Sequence, residues 1–384
     1  MARIEFANQL RGVAALAVAC GHLFGVFWSM PDVVAAATFT PPLAGPGDLL
    51  SIGYAPWFNP GPFGVALFFL ISGFVIPFSL EKHGRGSFLL ARALRIYPTY
   101  LVALAAQMTL VYAASRIWHL PFTHSARTIA GNALLIYDLV GQSSVDLVNW
   151  TLSVELKFYL LVALVAPAIR RGSMPTLVGI ATAIFALNEA TSLGWLHWAR
   201  LGPATLRYTL GSQPLCLTYM LIGTAFNAHL RGIIRTPALL ATVAILATLF
   251  ALTWPASSWA DQFPSVTYNY GFGLAVFAAL YAARRLFRAN ALLDAMAAIS
   301  FPFYLLHSLV GYTVLKALIL GLGWSYPPAL AATVLLIIAA ATTLHRLVER
   351  PSMRAGRRIG IRPQSTPGPI PEPRPEPAYA LRPL

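Results

Sequence analysis

Ten apolar stretches run through this chain of 384 residues, and each is close to the length that a helix needs to cross a bilayer. A spanning helix takes about 20 predominantly apolar residues. The stretches cover residues 8–30, 62–80, 97–115, 149–169, 175–194, 211–229, 237–254, 268–283, 296–318 and 329–347. Because backbone polar groups in lipid must find partners within the protein, such stretches form helices. The sequence therefore predicts an all-α, polytopic membrane helix bundle with about ten transmembrane helices.

Composition favours a membrane protein over a soluble one. Hydrophobic residues make up 57% of the chain and charged residues 10%, with a mean hydropathy of +0.66. A soluble domain carries about 25% charged residues. The formal net charge of +14 does not indicate a nucleic-acid partner, because the basic residues follow the alternation of the apolar stretches.

Basic residues are unevenly divided between the two sides of the predicted bundle. If the N-terminus lies inside, the outer loops hold only four of them, namely Arg116, Arg127, Arg200 and Arg207. Nearly all the others lie in the inner segments and near the C-terminus. Lys and Arg accumulate on the cytoplasmic side of membrane proteins. We therefore expect both termini to be cytoplasmic.

The last part of the chain differs in composition from the rest. From Pro351 onward it is rich in Pro and Arg, as in PGPIPEPRPEP. A segment of this kind cannot bury enough apolar surface to fold. The sequence therefore predicts a transmembrane domain over residues 1–350 and a disordered cytoplasmic tail over residues 351–384, with basic side chains that suit anionic membrane lipids.

One pair of ionisable residues lies inside the first apolar stretch. Arg11 and His22 bracket the run GVAALAVACG. Eleven residues make about three helical turns, so both side chains point from one face, roughly 16 Å apart along the axis. Ionisable groups at membrane depth usually mark function. A buried neutral imidazole can take a proton from a hydroxyl, so His22 is a candidate general base. Arg11 alone could equally be an arginine that snorkels to the inner interface.

Two further arginines lie in the predicted inner loop between the second and third stretches. Arg92 and Arg95 are three residues apart, so in a helix they share one side. Guanidinium groups bind phosphate in a bidentate manner. The pair is either a phosphate site or a set of ordinary topology anchors, and spacing alone does not separate the two.

The fourth stretch begins with the segment NWTLSVELKFYLL. Trp150 stands where an interfacial aromatic residue belongs, and it is also a candidate substrate contact. Glu155 lies one to two turns deeper, where a carboxylate needs a partner or water. Lys157 is two residues further on and faces elsewhere, so it is not the obvious partner. Glu155 is therefore a candidate site residue.

The ninth stretch contains the segment SFPFYLLHSL. Ser300, Tyr304 and His307 are spaced i, i+4, i+7 and form one stripe of a helix. Such a stripe could contact substrate or stabilise a developing oxyanion, or it could be a set of packed polar groups. Pro302 is expected near the helix start, where a missing N–H is tolerated. The remaining histidines show no spacing of metal ligands, so we predict no metal site.

Together these segments resemble the acyltransferase-3 family of integral membrane O-acyltransferases. The resemblance covers residues 3–351 and is carried by motifs in a fixed order, namely Arg-x10-His (Arg11, His22), GVALFFLISGF (Gly64 to Phe74), RALRIYP (Arg92 to Pro98), WTLSVELKFY (Trp150 to Tyr159), SFPFYLLH (Ser300 to His307) and ERP (Glu349 to Pro351). Each motif is weak alone, and their joint order is specific.

The resemblance implies a cytoplasmic acyl-CoA donor, usually acetyl-CoA, which is a substrate rather than a bound cofactor. It implies a hydroxyl acceptor on a sugar, glycolipid or polysaccharide at the outer side. His22 would be the catalytic residue and Arg11 its companion, with Arg92 and Arg95 on the CoA phosphates. Family patterns often place an acidic residue where this chain has Ala66. Two-domain members of the family carry an extra soluble domain after the membrane region, where this chain has a short tail. We therefore expect any second transfer step to need another protein.

Two other classes of protein share parts of this pattern. A secondary transporter or flippase for a lipid-linked or small polar substrate also has about ten helices, but such carriers often show internal repeats, and none is evident here. A membrane scaffold would not need ionisable residues at membrane depth. Alanine-rich helices and an excess of Arg over Lys suggest a bacterial protein, so we expect it in the cytoplasmic (inner) membrane.

Overall fold

The computed structural model describes residues 4–43, 45, 57–195, 204–260 and 266–359. Every regular element in these ranges that exceeds one turn is a helix. The main helices are α1 (Glu5–Cys20), α2 (Pro31–Thr38), α3 (Pro60–Lys82), α4 (Arg85–Ile117), α5 (Ala126–Ala133), α6 (Asn149–Leu164), α7 (Ala166–Arg171), α8 (Met174–Ser192), α9 (Ala204–Leu230), α10 (Thr236–Thr253), α11 (Val266–Ala282), α12 (Ala291–Leu306), α13 (Leu309–Lys316), α14 (Tyr326–Leu344) and α15 (Arg350–Arg358). Short π-helical segments follow α1, α13 and α14, at Gly21–Val26, Ala317–Gly321 and His345–Glu349.

The prediction of a polytopic helical membrane protein is confirmed. Each predicted stretch overlaps at least one helix. Among the described residues, six helical segments are long and apolar enough to cross a bilayer, and the bent pair α12–α13 makes a seventh. The predicted number of ten is not confirmed. The other helices do not meet this criterion of length and apolar composition, because they are short or carry polar residues, such as Glu155 and Lys157 in α6 and Gln213 in α9.

Local sequence sets where several helices begin and end. Asn59 precedes α3, and its side-chain oxygen accepts from the N–H of Gly61 at 2.9 Å. Asn290 does the same for α12 through the N–H of Leu293, at 3.0 Å. Such caps satisfy N–H groups that the helix itself leaves without partners. At the other end of a helix, Gly172 takes a left-handed conformation (φ 64°) and terminates α7.

The central helix of the bundle is α3, which packs against α1, α9 and α11. Its contact with α9 is a backbone-to-backbone approach at two glycines. A Cβ at Gly73 would overlap the carbonyl oxygen of Met220, and one at Gly223 would overlap the carbonyl oxygen of Leu70. Small residues of this kind let membrane helices come close enough for van der Waals packing. The side-chain amide of Asn227 adds a hydrogen bond to the Phe74 carbonyl, at 2.9 Å.

We expect Gly73→Ala to destabilise the fold. The new methyl group has no room against Met220, so α3 and α9 must separate, and overpacking of this kind costs about 1–3 kcal/mol. The matched control is Gly179→Ala, because Gly179 is exposed on α8 and a Cβ there meets nothing within 4 Å. The check is the unfolding midpoint in detergent. Equal midpoints for the two variants would show that the helices do not meet at Gly73.

The predicted position of Arg92 and Arg95 in a loop is wrong. Helix α4 begins at Arg85, so the connection after α3 consists of His83 and Gly84 alone. The reason lies in the spacing of apolar residues around the arginines. Phe88, Ala91 and other residues at helical intervals are buried against the bundle, which extends the helix about three turns beyond the apolar stretch.

The prediction of one continuous ninth helix is also wrong. Helices α12 and α13 meet at His307 and Ser308 with a bend of 68°. The imidazole Nδ1 of His307 donates to the carbonyl oxygen of Tyr304 at 2.7 Å. In a continuous helix that carbonyl would accept from the N–H of Ser308. Pro302 is an interior residue of α12 rather than a residue near its start, because α12 begins at Ala291.

The predicted tail begins at residue 351, but the helical structure continues to Arg358. Helix α14 passes through the π segment His345–Glu349 into α15, which packs against α4. This part of the predicted disordered tail is therefore folded. The rest, from residue 360 onward, lies outside the described residues.

Candidate active site

A cavity inside the bundle brings together five of the predicted site residues. Arg11 reaches it from α1, Arg95 from α4, Glu155 from α6, and Ser300 and Tyr304 from α12. Its empty volume is about 640 Å³, including the space at its mouth. The other lining residues are mostly apolar, namely Val65, Phe68, Phe69, Ile71, Ser72, Ile96, Thr151, Leu152 and Phe301. An apolar pocket with a few convergent polar groups is the usual form of a small-molecule site.

The charged side chains that line this cavity differ in their hydrogen-bond and ion-pair partners. Glu155 accepts from the hydroxyl of Tyr159 at 2.5 Å and from that of Ser72 at 3.4 Å. Neither Arg11 nor Arg95 forms an ion pair with any residue that the structure describes. Two guanidinium groups therefore face one cavity with a single carboxylate on its wall. This arrangement suits an anionic or strongly polar ligand.

As the sequence predicts, Lys157 is not the partner of Glu155. Its ammonium group lies 2.6 Å from Oδ2 of Asp138 and donates to the side chain of Gln213 at 2.6 Å. It also donates to Ser153 at 2.8 Å. This buried network ties α6 to its neighbours and leaves Glu155 to the cavity.

His22 lies outside this cavity, in the π-helical segment that follows α1. Its Nδ1 is 2.7 Å from the hydroxyl oxygen of Tyr312 on α13. Its ring meets that of His307 edge-on, with centroids 5.0 Å apart. Single π turns in membrane and soluble helices are frequent at functional sites. A Cβ at Gly21, next to His22, would crowd the backbone of Gly61, so the start of α3 holds this turn closely.

The bend between α12 and α13 joins the histidines to the cavity. Tyr304 lines the cavity, and its ring lies 5.4 Å from that of His307, which in turn contacts His22. The Tyr304 hydroxyl is 2.7 Å from that of Thr151. Ser300 donates instead to the carbonyl of Ala297 in its own helix, at 2.8 Å. A row of three side chains, Tyr304, His307 and His22, therefore leads away from the cavity that the arginines line.

Arg92 and Arg95 lie one turn apart on α4 but have different surroundings. Arg92 donates to the hydroxyl of Ser79 at 3.1 Å and stands over the ring of Tyr159, 5.9 Å from its centroid. Arg95 borders the cavity with Glu155 and also a second, smaller pocket that Arg92 shares. Both arginines thus face space inside the protein rather than the outer surface alone.

Trp150 is apart from the other candidates. Its ring packs against Trp259 at 5.0 Å and against Phe69 at 6.0 Å, and it does not line the cavity. Through Phe69, which is a lining residue, it supports the wall of the cavity. Its place is that of a packing residue next to the site.

Several polar residues of the site were not predicted from the sequence. Tyr159 follows Glu155 by four residues, a helical spacing that could have revealed their hydrogen bond. Tyr312 gave no such signal, because its contact with His22 joins residues 290 positions apart. Within the described part of the chain, no group of three or more His, Cys, Asp or Glu side chains could hold a metal ion. One of the remaining histidines considered in the sequence, His197, lies outside the described residues.

Comparison with known proteins gives a consistent result. A protein of Rhizobium leguminosarum bv. viciae named Nodulation protein 10 is 27% identical to this chain, and the match covers 76% of this chain and 82% of that protein. No solved structure matches the chain. The family model of the acyltransferase-3 family, described as an acyltransferase domain, matches residues 4–346. The chain therefore belongs to the acyltransferase-3 family and is a membrane acyltransferase.

Proposed function

We propose that this protein is a membrane O-acyltransferase that moves an acyl group, acetyl in the simplest case, from cytoplasmic acyl-CoA to a hydroxyl of a cell-surface or exported sugar. The observation that carries the proposal is the cavity with Arg11 and Arg95 on its wall and Tyr304 beside the His22–His307 pair. This layout suits a long substrate that is anionic at one end and reactive at the other.

The donor would lie along this row of residues. Acyl-CoA carries its charge on phosphate groups, which cannot leave water without cationic partners. Arg92 and Arg95 would hold the phosphates near the inner face, and the thin pantetheine arm would enter the cavity past Arg95. Arg11 and Glu155 would then contact the polar amides of that arm. The thioester would arrive near Tyr304 and the two histidines.

The chemical step would begin with His22 as the general base. Its imidazole takes the proton of the acceptor hydroxyl while that oxygen attacks the thioester carbonyl carbon. The tetrahedral intermediate then collapses, the C–S bond breaks, and the CoA sulfur leaves and takes the proton back from His22. A positioned base of this kind contributes about 10²–10⁴-fold to the rate. An acyl-histidine intermediate is the second route, and labelled acyl trapped on the protein without acceptor would support it.

Tyr312 would set the tautomer of His22. If Nδ1–H of His22 donates to the Tyr312 hydroxyl oxygen, Nε2 carries no proton and is ready to accept one. The distance of 2.7 Å between the two atoms allows this bond. Tyr312 would thus be a positioning residue that acts through His22.

The oxyanion of the intermediate needs hydrogen-bond donors. Tyr304 is the better candidate of the two hydroxyls predicted from the sequence, because its ring contacts that of His307. Its O–H would redirect from the hydroxyl oxygen of Thr151, which itself donates to the Val148 carbonyl at 2.9 Å. Ser300 already donates to its own helix and would have to rotate. One well-placed donor is worth about 10²–10³-fold in rate.

The acceptor would approach from the side opposite to the donor, as expected for a sugar-containing glycolipid or polysaccharide of a bacterial cytoplasmic membrane. Along α1, His22 is roughly 16 Å beyond Arg11. The histidine end is therefore the end distant from the basic residues that face the predicted cytoplasm. Family membership favours transfer over the transporter or flippase alternative.

We expect Glu155→Gln to lower the rate of transfer about 10- to 100-fold, the effect of losing a charge-assisted contact of ~1.5–3 kcal/mol. Acetyl-CoA affinity should change by less than the rate, because the lost contact with the donor arm is offset by removal of the one negative charge on the cavity wall. Transfer and binding are measured on the same purified variant. Glu189→Gln in α8 is the control, since Glu189 is outside the cavity. Full activity of the folded Glu155→Gln variant would assign Glu155 a structural role.

The experiment that tests the proposed function is binding of labelled acetyl-CoA to the purified protein in nanodiscs. Saturable binding, competed by unlabelled CoA, is the expected result. It requires no knowledge of the acceptor. Absence of binding by well-folded protein would overturn the proposal, and substrate flux in proteoliposomes would then favour a transporter.

A further inference from the structure

A second pocket lies between α4 and the C-terminal helix α15. Its empty volume is about 300 Å³, and it shares Arg95 with the larger cavity. Its lining residues come from the α3–α4 connection, from α4 and from α15, namely His83, Ala91, Arg92, Arg95, Met353, Gly356 and Arg357. The pocket therefore lies next to the larger cavity, near the end of the bundle where α4 begins.

Helix α15 is fixed in this position by close packing. Gly356 is buried, and a Cβ there would lie 3.3 Å from the carbonyl oxygen of Ala91 on α4. The π segment His345–Glu349 connects α15 directly to α14, and Ser352 donates to the Glu349 carbonyl at 2.9 Å. This packing of α15 places the next residue, Arg357, on the wall of the pocket.

The pocket is lined by cations and by no carboxylate. Arg92, Arg95 and Arg357 contribute guanidinium groups, and His83 contributes an imidazole. His83 is only 7% exposed, and its Nδ1 has no hydrogen-bond partner among the described residues. The same holds for Nε of Arg92. Buried polar atoms without partners are rare in folded proteins and indicate a missing ligand or water. Three guanidinium groups around one small space indicate an anion, and phosphate matches their geometry.

We infer that this pocket binds a phosphate group at the nucleotide end of the acyl donor, with Arg357 of α15 and His83 completing the site that Arg92 and Arg95 begin. The inference rests on the proposed function, because it takes acyl-CoA as the donor. The C-terminal helix is then part of the donor site, and the arm of the bound donor enters the larger cavity past Arg95.

The test compares binding of CoA, 3′-dephospho-CoA and 4′-phosphopantetheine to the full-length protein in phosphatidylcholine nanodiscs. Arg357→Gln is expected to weaken CoA binding about 10-fold or more, as loss of one charge-assisted contact does. Arg354→Gln is the matched control, because it removes the same charge from an exposed position of α15 outside the pocket. Its CoA affinity should remain within about twofold of wild type.

The ligand series identifies the phosphate. If Arg357→Gln weakens CoA but not 3′-dephospho-CoA, Arg357 contacts the 3′-phosphate; equal weakening of both assigns it to the diphosphate, and both results support the inference. Equal CoA affinity of the Arg357 and Arg354 variants would overturn it. So would an effect of Arg357→Gln that requires phosphatidylglycerol in the discs, which would assign Arg357 to lipid headgroups. No CoA binding by wild type would instead refute the proposed function itself.

Discussion

Replacement of His22 by alanine is expected to lower acyl transfer at least about 100-fold, since a positioned general base contributes about 10²–10⁴ to the rate. Binding of acetyl-CoA should be unchanged, because His22 lies beyond the cavity that carries Arg11 and Arg95. The variant should also fold, since only the contacts of the ring with Tyr312 and His307 are lost. Transfer to acceptor and donor binding are measured on the same preparation.

A second histidine provides the control for this variant. His119 is exposed at the end of α4 and has a positive φ of 53°. Asparagine tolerates that conformation, so His119→Asn removes an imidazole without backbone strain. It should retain full activity. If His22→Ala kept more than a few per cent of wild-type transfer, His22 would not be the base.

The second large effect is expected for Arg92→Gln combined with Arg95→Gln. Loss of two charge-assisted phosphate contacts, each ~1.5–3 kcal/mol, should weaken acetyl-CoA binding about 100-fold or more. The residual binding of the double variant should depend less on salt than that of wild type, because fewer charges remain to be screened. Titration of labelled acetyl-CoA at two salt concentrations measures both quantities.

The matched control removes two arginines that face solvent. Arg285 and Arg288 are exposed in the connection before α12. The distribution of basic residues predicts that this connection also lies on the inner side of the membrane. Arg285→Gln/Arg288→Gln should bind acetyl-CoA like wild type. If both double variants bound the donor equally well, Arg92 and Arg95 would be topology anchors.

The class of fold could be predicted from the sequence because the apolar stretches are long and the chain carries few charges. The break between α12 and α13 could not. It depends on one side-chain hydrogen bond, from His307 to the Tyr304 carbonyl, and the spacing of residues along this run is that of an unbroken helix. The start of α4 was also missed, because the basic residues of RALRIYP concealed a buried helical face at Phe88 and Ala91.

For the candidate site, individual residues could be predicted from the sequence but their arrangement could not. Arg11, Glu155, Ser300 and Tyr304 were singled out because polar residues in apolar helices need a reason, and Arg95 because of its spacing from Arg92. One cavity brings the five together. Their grouping depends on how α1, α4, α6 and α12 pack, which spacing along one helix does not report. Tyr312 was missed for this reason, since its link to His22 is purely tertiary.

The most direct test of the account is sidedness of transfer in sealed membrane vesicles from cells that express the protein. The account predicts that labelled acetyl-CoA added to inverted vesicles, whose cytoplasmic face is outward, transfers its label to glycan enclosed in the lumen. Right-side-out vesicles, and inverted vesicles with His22→Ala, should remain unlabelled. Equal labelling of right-side-out vesicles, or labelling that persists without His22, would contradict a donor bound at the arginines and an acyl group delivered through the bundle to His22.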